Sequence, residues 1–573
     1  MRRFKVLQKL ARQNVDRWPG WDIVLELEHR ETDPEPAFMI SYAQWVVDWD
    51  DGQDPVVYTR TGSNSVFTYS GDYPVGTHIV KIKVTNRYSN SGTLYFGNAS
   101  NAATYQQALM PQIKRVLKFD VSGTVNNRPK MLGLGLLFNR CVRLESVDCE
   151  MKIGQVITMA CAFRFCTHLA GKIVISNALG TLQDLNSAFQ HCLRLEEIRF
   201  GDLPSLTNLT TAFASCFSLR KVRFGTFGKP VTWYNAFWRD ANLTEVKWDG
   251  HPEITNLNNT FYACSSLEEL PEIGDQPRCT SLNSAFYMCT RLKTVKLGSF
   301  PECTDIASAF ERCTVIDHIH LSDLQNVKNA ANAFYICRML SDVSIEGFGP
   351  NATSLSNTFN GCFDLAGEMQ FPDMPHLTNL ASTFAGTQLT SIEIGDCPLL
   401  TNIGSVVANI RTLETFRGGQ WPIVSAANSA FAFCPKLETL ELHIPDNTIS
   451  QASEMFARCV SLKRLEGEAR LRDTGPTNAS YFNNICLNCF SLEELPDIFP
   501  SGGWAAAFAV PTATFASAFQ GCFSLKGTVP RWIWEDWGGN KTSQNSCFNY
   551  CYQLDNYSEI PDLWKGGNIE YDD

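Results

Sequence analysis

The sequence predicts an α/β solenoid of about 17 stacked units of 24–25 residues, preceded by an all-β sandwich. Three observations carry that expectation. A 16-residue stretch recurs: LNSAFYMCTRLKTVKL from Leu282 has counterparts in LNSAFQHCLRLEEIRF from Leu185, LTTAFASCFSLRKVRF from Leu209 and LNNTFYACSSLEELPE from Leu257. Its phenylalanine returns at near-constant intervals, 24 residues from Phe189 to Phe213 and 25 from Phe261 to Phe286. All 21 cysteines lie between Cys141 and Cys551, which leaves a cysteine-free, strand-like region in front of the repeats.

The shared core is A-F-x-x-C-x-x-L-x-x-V/L/I-x-L, and its register runs from Phe138 to Phe548. Degenerate copies around Val407 and Cys486 fill the two wide gaps. The L-x-x-V-x-L half alternates apolar and polar residues and reads as a short strand. The A-F-x-x-C half has apolar residues at helical spacing and reads as one helical turn. One unit cannot bury its apolar side alone, whereas stacked units can. Strands in a stack lie about 4.8 Å apart, so the array predicts a rod roughly 80 Å long. The period falls within the leucine-rich-repeat range.

Composition agrees. A chain of 573 residues is too long for one compact core, and its 37 phenylalanines go largely to the repeat. The net charge of −11 argues against general nucleic-acid binding. No apolar run approaches the ~18 residues of a membrane span. Fourteen cysteines stand three residues after the marker position, among them Cys141, Cys216, Cys289 and Cys551. A small, weakly polar, buried side chain suits that turn, and vertically stacked thiols rarely meet disulfide geometry. These cysteines are expected to be reduced and structural, with Asp240 and Thr387 as replacements in the same packing role. Cys486-Leu-Asn-Cys489 has CxxC spacing but no second pair, so no metal or redox site is assigned.

Residues 1–20 carry Arg2, Arg3, Lys5, Lys9, Arg12 and Arg17 against the single acid Asp16. Phe4, Leu7 and Leu10 suggest a short amphipathic helix ended by Pro19-Gly20. The segment has neither the apolar core nor the cleavage site of a secretory signal. It reads as an assembly-docking peptide, with Arg2, Arg3, Lys5, Lys9 and Arg12 as contacts, or as a solvated lead-in.

Residues 21–120 alternate strand-like runs with Gly, Pro, Asn and Asp clusters, as a β-sandwich does. The segment from Trp45 to Gly52, WVVDWDDG, with Phe67 to Tyr69 and Gly76 to Val84, resembles the PKD-like immunoglobulin-type domain. Asp48, Asp50 and Asp51 are either calcium ligands or the makers of a hairpin turn. Residues 88–135 lead into the first repeat. A PKD-like domain followed by A-F-x-x-C-x-x-L repeats resembles the BspA-like leucine-rich-repeat proteins over residues 40 to 560. That resemblance implies a surface or virion-borne binding protein whose repeats are an adhesive scaffold.

The regular solenoid spans 121–480. Along its strands one outward row reads Arg199, Arg223, Lys247, Pro271, Lys296, His320, Ser344, Gln370, Glu393, Glu441, Glu466, basic first and acidic later. Arg199, Arg223 and Lys247 are candidate contacts for an anionic ligand. The alternative is a solvated face compensated by the row containing Glu197, Lys221, Glu245 and Glu269. His318 and His320 share a face without an obvious third metal ligand. In residues 481–573 the intervals lengthen, and Trp504, Trp532, Trp534, Trp537 and Trp564 gather. The first four are candidate sugar- or protein-binding residues; the alternative is a terminal cap or a homo-oligomer contact over the last strand edge.

There is no GxSxG, Walker loop, HExxH or zinc-finger spacing. The expectation is a non-catalytic structural and adhesive protein without cofactor or metal. Its leading form is a bacteriophage tail, fibre or capsid-surface component that is anchored in the virion through its N-terminus and attaches to a host-surface glycan or protein. The alternative is a bacterial or protist BspA-like cell-surface adhesin.

Overall fold

The computed structural model describes residues 17–62, 65–88, 94–97, 108–176, 179–471, 482–496, 498, 515–529, 531 and 545–566. Two compact units are present, Met1–Gly298 and Ser299–Asp573.

The first unit opens with eight strands: β1 (Ile23–His29), β2 (Ala37–Ile40), β3 (Ala43–Asp48), β4 (Val56–Arg60), β5 (Ser65–Thr68), β6 (Gly76–Arg87), β7 (Leu94–Tyr95) and β8 (Ile113–Asp120). Strands β8, β1, β6, β3 and β4 are consecutive antiparallel neighbours, and β5, β2 and β7 form a second antiparallel sheet. Alternation explains β3, where Ala43, Trp45 and Val47 are buried and the residues between are not. Aromatic rings from both sheets meet: Phe38 lies 5.1 Å from Tyr58 and 6.1 Å from Phe67.

β8 joins these strands to the repeats. It is antiparallel to β1 but parallel to strands Ser146–Val147 and Glu150–Lys152. The sheet then continues in parallel through Ala170–Ser176, Arg194–Phe200, Lys221–Thr226 and Glu245–Asp249. The first repeat strands therefore have no open edge on that side, which removes a template for non-native pairing. Ion pairs tie the junction: Arg143 of the first repeat holds Asp33 at 2.7 and 2.5 Å, and Lys114 holds Glu28 at 2.6 Å. Hydrogen bonds from Lys114 and Arg30 hold the Glu28 carboxyl down to about 2.

The A-F-x-x-C half departs from expectation. Among the described residues no α-helix occurs; the helical segments are two 3-10 turns, Tyr557–Glu559 and Asp562–Lys565. Each repeat instead forms consecutive three-residue turns, as in Ala188 N–H to Leu185 O, Gln190 N–H to Ser187 O and Cys192 N–H to Phe189 O. The intervening amides point along the stack: Ser187 donates to Thr210, Phe189 to Ala212 and His191 to Ala214. The switch between the two directions comes from left-handed backbone at Ser187 (φ 52°) and His191 (φ 61°). The same two positions are left-handed in the next repeats, at Thr211 and Ser215 and at Asn235 and Arg239. A helix cannot pass through such residues, so the expected α component of the fold class is corrected to stacked turns.

In several repeats an Asx-type bond precedes the turn and competes with helix formation. Asp184 Oδ1 accepts from Asn186 N–H, Asn208 Oδ1 from Thr210 N–H and Asn379 Oδ1 from Ala381 N–H, each at 2.9 Å. Inside, the marker rings stack nearly parallel: Phe213 lies 5.7 Å from Phe189 and 5.1 Å from Phe237, with planes 6° and 9° apart. The ladder cysteines donate to the marker carbonyl of the preceding repeat, as Cys216 Sγ does to Phe189 O at 3.0 Å. None of the 21 cysteines forms a disulfide, and burial raises the ladder thiols such as Cys216 and Cys289 well above the ordinary range.

The second unit repeats the plan. Its Phe310, Phe334, Phe359 and Phe384 rings stack at 5.3–5.8 Å. Val407 and Cys486 occupy marker positions: Phe384 N–H donates to Val406 O and Phe456 N–H to Ile485 O, each carbonyl one residue before the marker. Strands Ala366–Phe371, Gln388–Ile394, Thr415–Gln420, Thr439–Ile449 and Glu466–Leu471 form a parallel sheet. Trp564 closes the stack, lying 6.2 Å from Phe548 with planes 12° apart and accepting the Phe548 amide on its carbonyl.

Candidate binding surface

The strand half of each repeat projects two side chains outward, and parallel in-register pairing lines them into columns. Arg199 pairs with Arg223 and Arg223 with Lys247, so the three predicted cations form one column of the first unit. All three are exposed. The neighbouring column alternates in sign through Lys172, Glu197, Lys221 and Glu245.

The acids partly compensate the cations. Glu197 meets Arg199 and, at 3.5 Å, Lys172. Glu245 lies 3.2 Å from Lys247 and 3.5 Å from Lys221. Burial works to raise the Glu245 carboxyl, but hydrogen bonds and charge from Lys247 and Lys221 outweigh it and leave it low. Arg223, between these clusters, has no carboxylate at ion-pair distance among the described residues. Exposed pairs are worth about 0.2–1 kcal/mol, so an incoming anion can displace Glu197 or Glu245 at small cost.

The second unit corrects the expected acidic half. Its column runs Gln370, Glu393, Arg417, Glu441, Glu466, with Arg417 set between two acids and 3.5 Å from Glu441. Sequence reading missed Arg417 because its repeat lacks the marker phenylalanine. Counting ten residues on from Val407, as Arg199 follows Phe189, would have found it.

Other singled-out residues have structural partners. Asp48 pairs with Lys81 at 2.8 Å, Asp50 accepts the Ile79 amide at 2.7 Å, and Asp51 accepts the Tyr69 hydroxyl at 2.7 Å. His318 lies 3.4 Å from Asp317 and 3.8 Å from Asp342, and His320 projects from the same strand face. Among the described residues no group of three or more His, Cys, Asp or Glu could hold a metal ion, and no helix is long and apolar enough to cross a membrane. Trp504, Trp532, Trp534 and Trp537 lie outside the described residues, as do Arg2, Arg3, Lys5, Lys9 and Arg12.

A model of the BspA type leucine rich repeat region matches six copies, over residues 136–268, 185–306, 258–380 and 357–488. No curated protein matches the chain. Solved structures resembling it include the TLR13–ssRNA13 complex, at 16% identity and a TM-score of 0.23 over 78% of this chain; the match spans 61% of that chain. A leucine-rich-repeat protein of Leptospira interrogans matches at 12% identity and a TM-score of 0.23, over 63% of this chain and 86% of its own. The plant peptide hormone receptor RGFR1 in complex with RGF2 matches at 12% identity and a TM-score of 0.21, over 68% of this chain and 80% of its own.

Proposed function

Because the chain belongs to the BspA-type leucine-rich-repeat family, we propose that it is a non-catalytic binding protein of the adhesin kind, displayed on a cell surface and engaging an acidic glycan or protein of a host. The observation that carries the ligand class is the column Arg199, Arg223 and Lys247, three exposed cations in register on adjacent strands. At about 4.8 Å per strand, such a column suits a chain-like ligand with anionic groups along it.

Two finer parts of the reading have their own support. A PKD-like domain at residues 21–120 is consistent with the Trp49 turn: the indole is buried, its N–H donates to the Tyr58 hydroxyl, and its carbonyl accepts the Tyr73 hydroxyl at 2.6 Å. N-terminal docking through residues 1–20 rests on their basic composition. The bacteriophage virion reading gains no support from the family match, which fits the surface-protein alternative.

The test is a glycan-array and cell-binding comparison of the wild type with an Arg199→Ser/Arg223→Ser/Lys247→Ser variant. The expected result is a tenfold or larger loss of binding to acidic glycans, with a weaker dependence on salt. Unchanged binding would remove the sheet column as the site, and cleavage of a bound glycan would remove the non-catalytic reading. A Trp532→Ala/Trp534→Ala/Trp537→Ala variant tests the competing Trp-rich region in the same assay.

A further inference from the structure

The turns of the first unit carry a second cationic group unrelated to the strand column. At the position two residues after the marker phenylalanine, successive repeats present Arg140, Phe165 and His191. The His191 imidazole lies flat against the Phe165 ring, with centroids 4.7 Å apart and planes 6° apart. The Arg140 guanidinium lies over the same ring, 4.8 Å from its centroid, and that of Arg164 lies 4.9 Å from it. Backbone bonds fix the layers: Arg140 N–H donates to Arg164 O and Phe165 N–H to Gln190 O.

Counter-charge is missing. Neither Arg140 nor Arg164 has a carboxylate at ion-pair distance among the described residues, whereas nearby Arg143 is closed by Asp33. Asp184, which acts electrostatically on Cys161 as Arg164 does, engages the Asn186 amide at 2.9 Å and the Thr158 hydroxyl at 3.2 Å. The Cys161 thiol beside Arg164 is raised by burial and stays neutral. Arg164 Nε and Gln190 Oε1 are both buried and lack a hydrogen-bond partner. Burial and then the Arg164 charge lower the His191 pKa, as expected where cations gather without an acid.

A guanidinium stacked on an aromatic ring keeps its in-plane N–H groups free and fixed in direction, the form that binds an oxyanion through paired hydrogen bonds. Two such forks offer more donors than the two oxygens of one carboxylate take in plane, and a tetrahedral oxyanion suits them better. We propose that Arg140, Arg164 and His191, organised by Phe165, form a binding site for a tetrahedral oxyanion of the phosphate or sulfate class, held as a free ion or as an ester on a sugar. The site lies on the turns and is independent of the strand column.

Calorimetric titration of the full chain at low ionic strength, with inorganic phosphate, inorganic sulfate and a sulfated disaccharide in separate arms, tests this. Binding in an inorganic arm supports a free-ion site, and binding of the sulfated disaccharide alone supports an ester site. In either case Arg140→Gln and Arg164→Gln should each weaken binding at least tenfold, and Lys328→Gln, at an exposed cation outside both surfaces, should change it less than twofold. Histidine-selective NMR of the wild type gives a readout free of any folding defect: the His191 titration should move to higher pH when the anion binds. The proposal is overturned if no arm binds, if Arg140→Gln and Arg164→Gln bind as the wild type does, if Lys328→Gln loses as much as they do, or if the His191 titration stays in place at saturating anion. Failure of the strand-column variant on glycan arrays leaves this result untouched, so the two readings fail separately.

Discussion

Replacing Asp240 by the cysteine its position otherwise carries should stabilise the first unit, by an amount that grows with pH. Asp240 stands in the thiol ladder and is fully buried. Its Oδ1 accepts the Cys216 amide at 2.7 Å, while Oδ2 is buried without a hydrogen-bond partner. Burial, reinforced by the neighbouring Cys216, raises its pKa well above the ordinary carboxyl value. The two flanking ladder groups, Cys216 and Cys264, are buried thiols raised by desolvation, so neither offers it a positive charge. An unpartnered buried polar atom costs about 1–3 kcal/mol, and this part is present at every pH. The remainder is linkage. The folded chain keeps a proton that the unfolded chain releases above about pH 3.9, so stability falls as pH rises, by about 1.4 kcal/mol per unit while the buried acid stays protonated. Asp240→Cys removes that slope. It should therefore be more stable by about 1–3 kcal/mol near pH 4, and by a larger margin at pH 6. Repeat arrays do not unfold as a single two-state system, so amide hydrogen exchange at Phe213, Cys216 and Phe237 is the suitable assay, read at both pH values. Equal protection in the two proteins, or a gap that does not widen with pH, would refute the reasoning, because either requires Asp240 to be solvated or paired.

The remaining predictions address the turn, the core and the thiols. Asn259 has φ 51°, so Asn259→Val should cost about 1–2 kcal/mol while Asn259→Gly is tolerated; a helical turn would make glycine the worse choice, and amide hydrogen exchange in the repeat and its neighbours distinguishes the two. Phe213 is fully buried between two stacked rings, so Phe213→Ala should cost about 3–5 kcal/mol in the same measurement. Cys149 is the half-buried cysteine among otherwise buried ones, so a thiol reagent should label it first. That labelling should be slow below pH 9, because burial pushes the Cys149 thiol up to about 12, and the other cysteines should react only on unfolding.

The stack was legible because its marker is an internal repeat, and even Val407 and Cys486, which lack the phenylalanine ring, sit at the marker positions assigned to them. The helical turn was misread for a specific reason. Leu185, Ala188, Phe189 and Cys192 have the spacing of an amphipathic helix, and three-residue turns broken by two left-handed residues put the same side chains inside. The distinguishing signal was polar: Asp184, Asn208 and Asn379, whose side chains bond the amide two residues on, mark turns and oppose helices. On the surface, Arg199, Arg223 and Lys247 followed from strand alternation alone. Arg140, Phe165 and His191 did not, because they occupy a position written as x in the motif. Their relation appears only once that position is known to form a column of its own.

On the proposed reading, the division between framework and column also separates folding from binding. The marker rings, the ladder thiols and the Asx side chains are each engaged within the stack, as Phe213, Cys216 and Asn208 illustrate. Changing one of them alters a repeat and its neighbours, since contacts in a stack are nearly all local. The outward strand positions and the exposed turn positions carry no such duty. Arg223 has no ion-pair partner among the described residues, and Arg199 and Lys247 hold exposed pairs worth about 1 kcal/mol or less. Substitutions there should leave stability within about 0.5 kcal/mol, so a loss of binding at these positions is a loss of contact. Because each column places equivalent side chains about one strand spacing apart, the proposed mode of binding makes recognition depend on the sequence of residues down a column. A ligand selected by Arg199, Arg223 and Lys247 is thus discriminated by the spacing of its charges as much as by their sign, and an acidic chain with widely spaced anions should bind this surface more weakly than one with closely spaced anions.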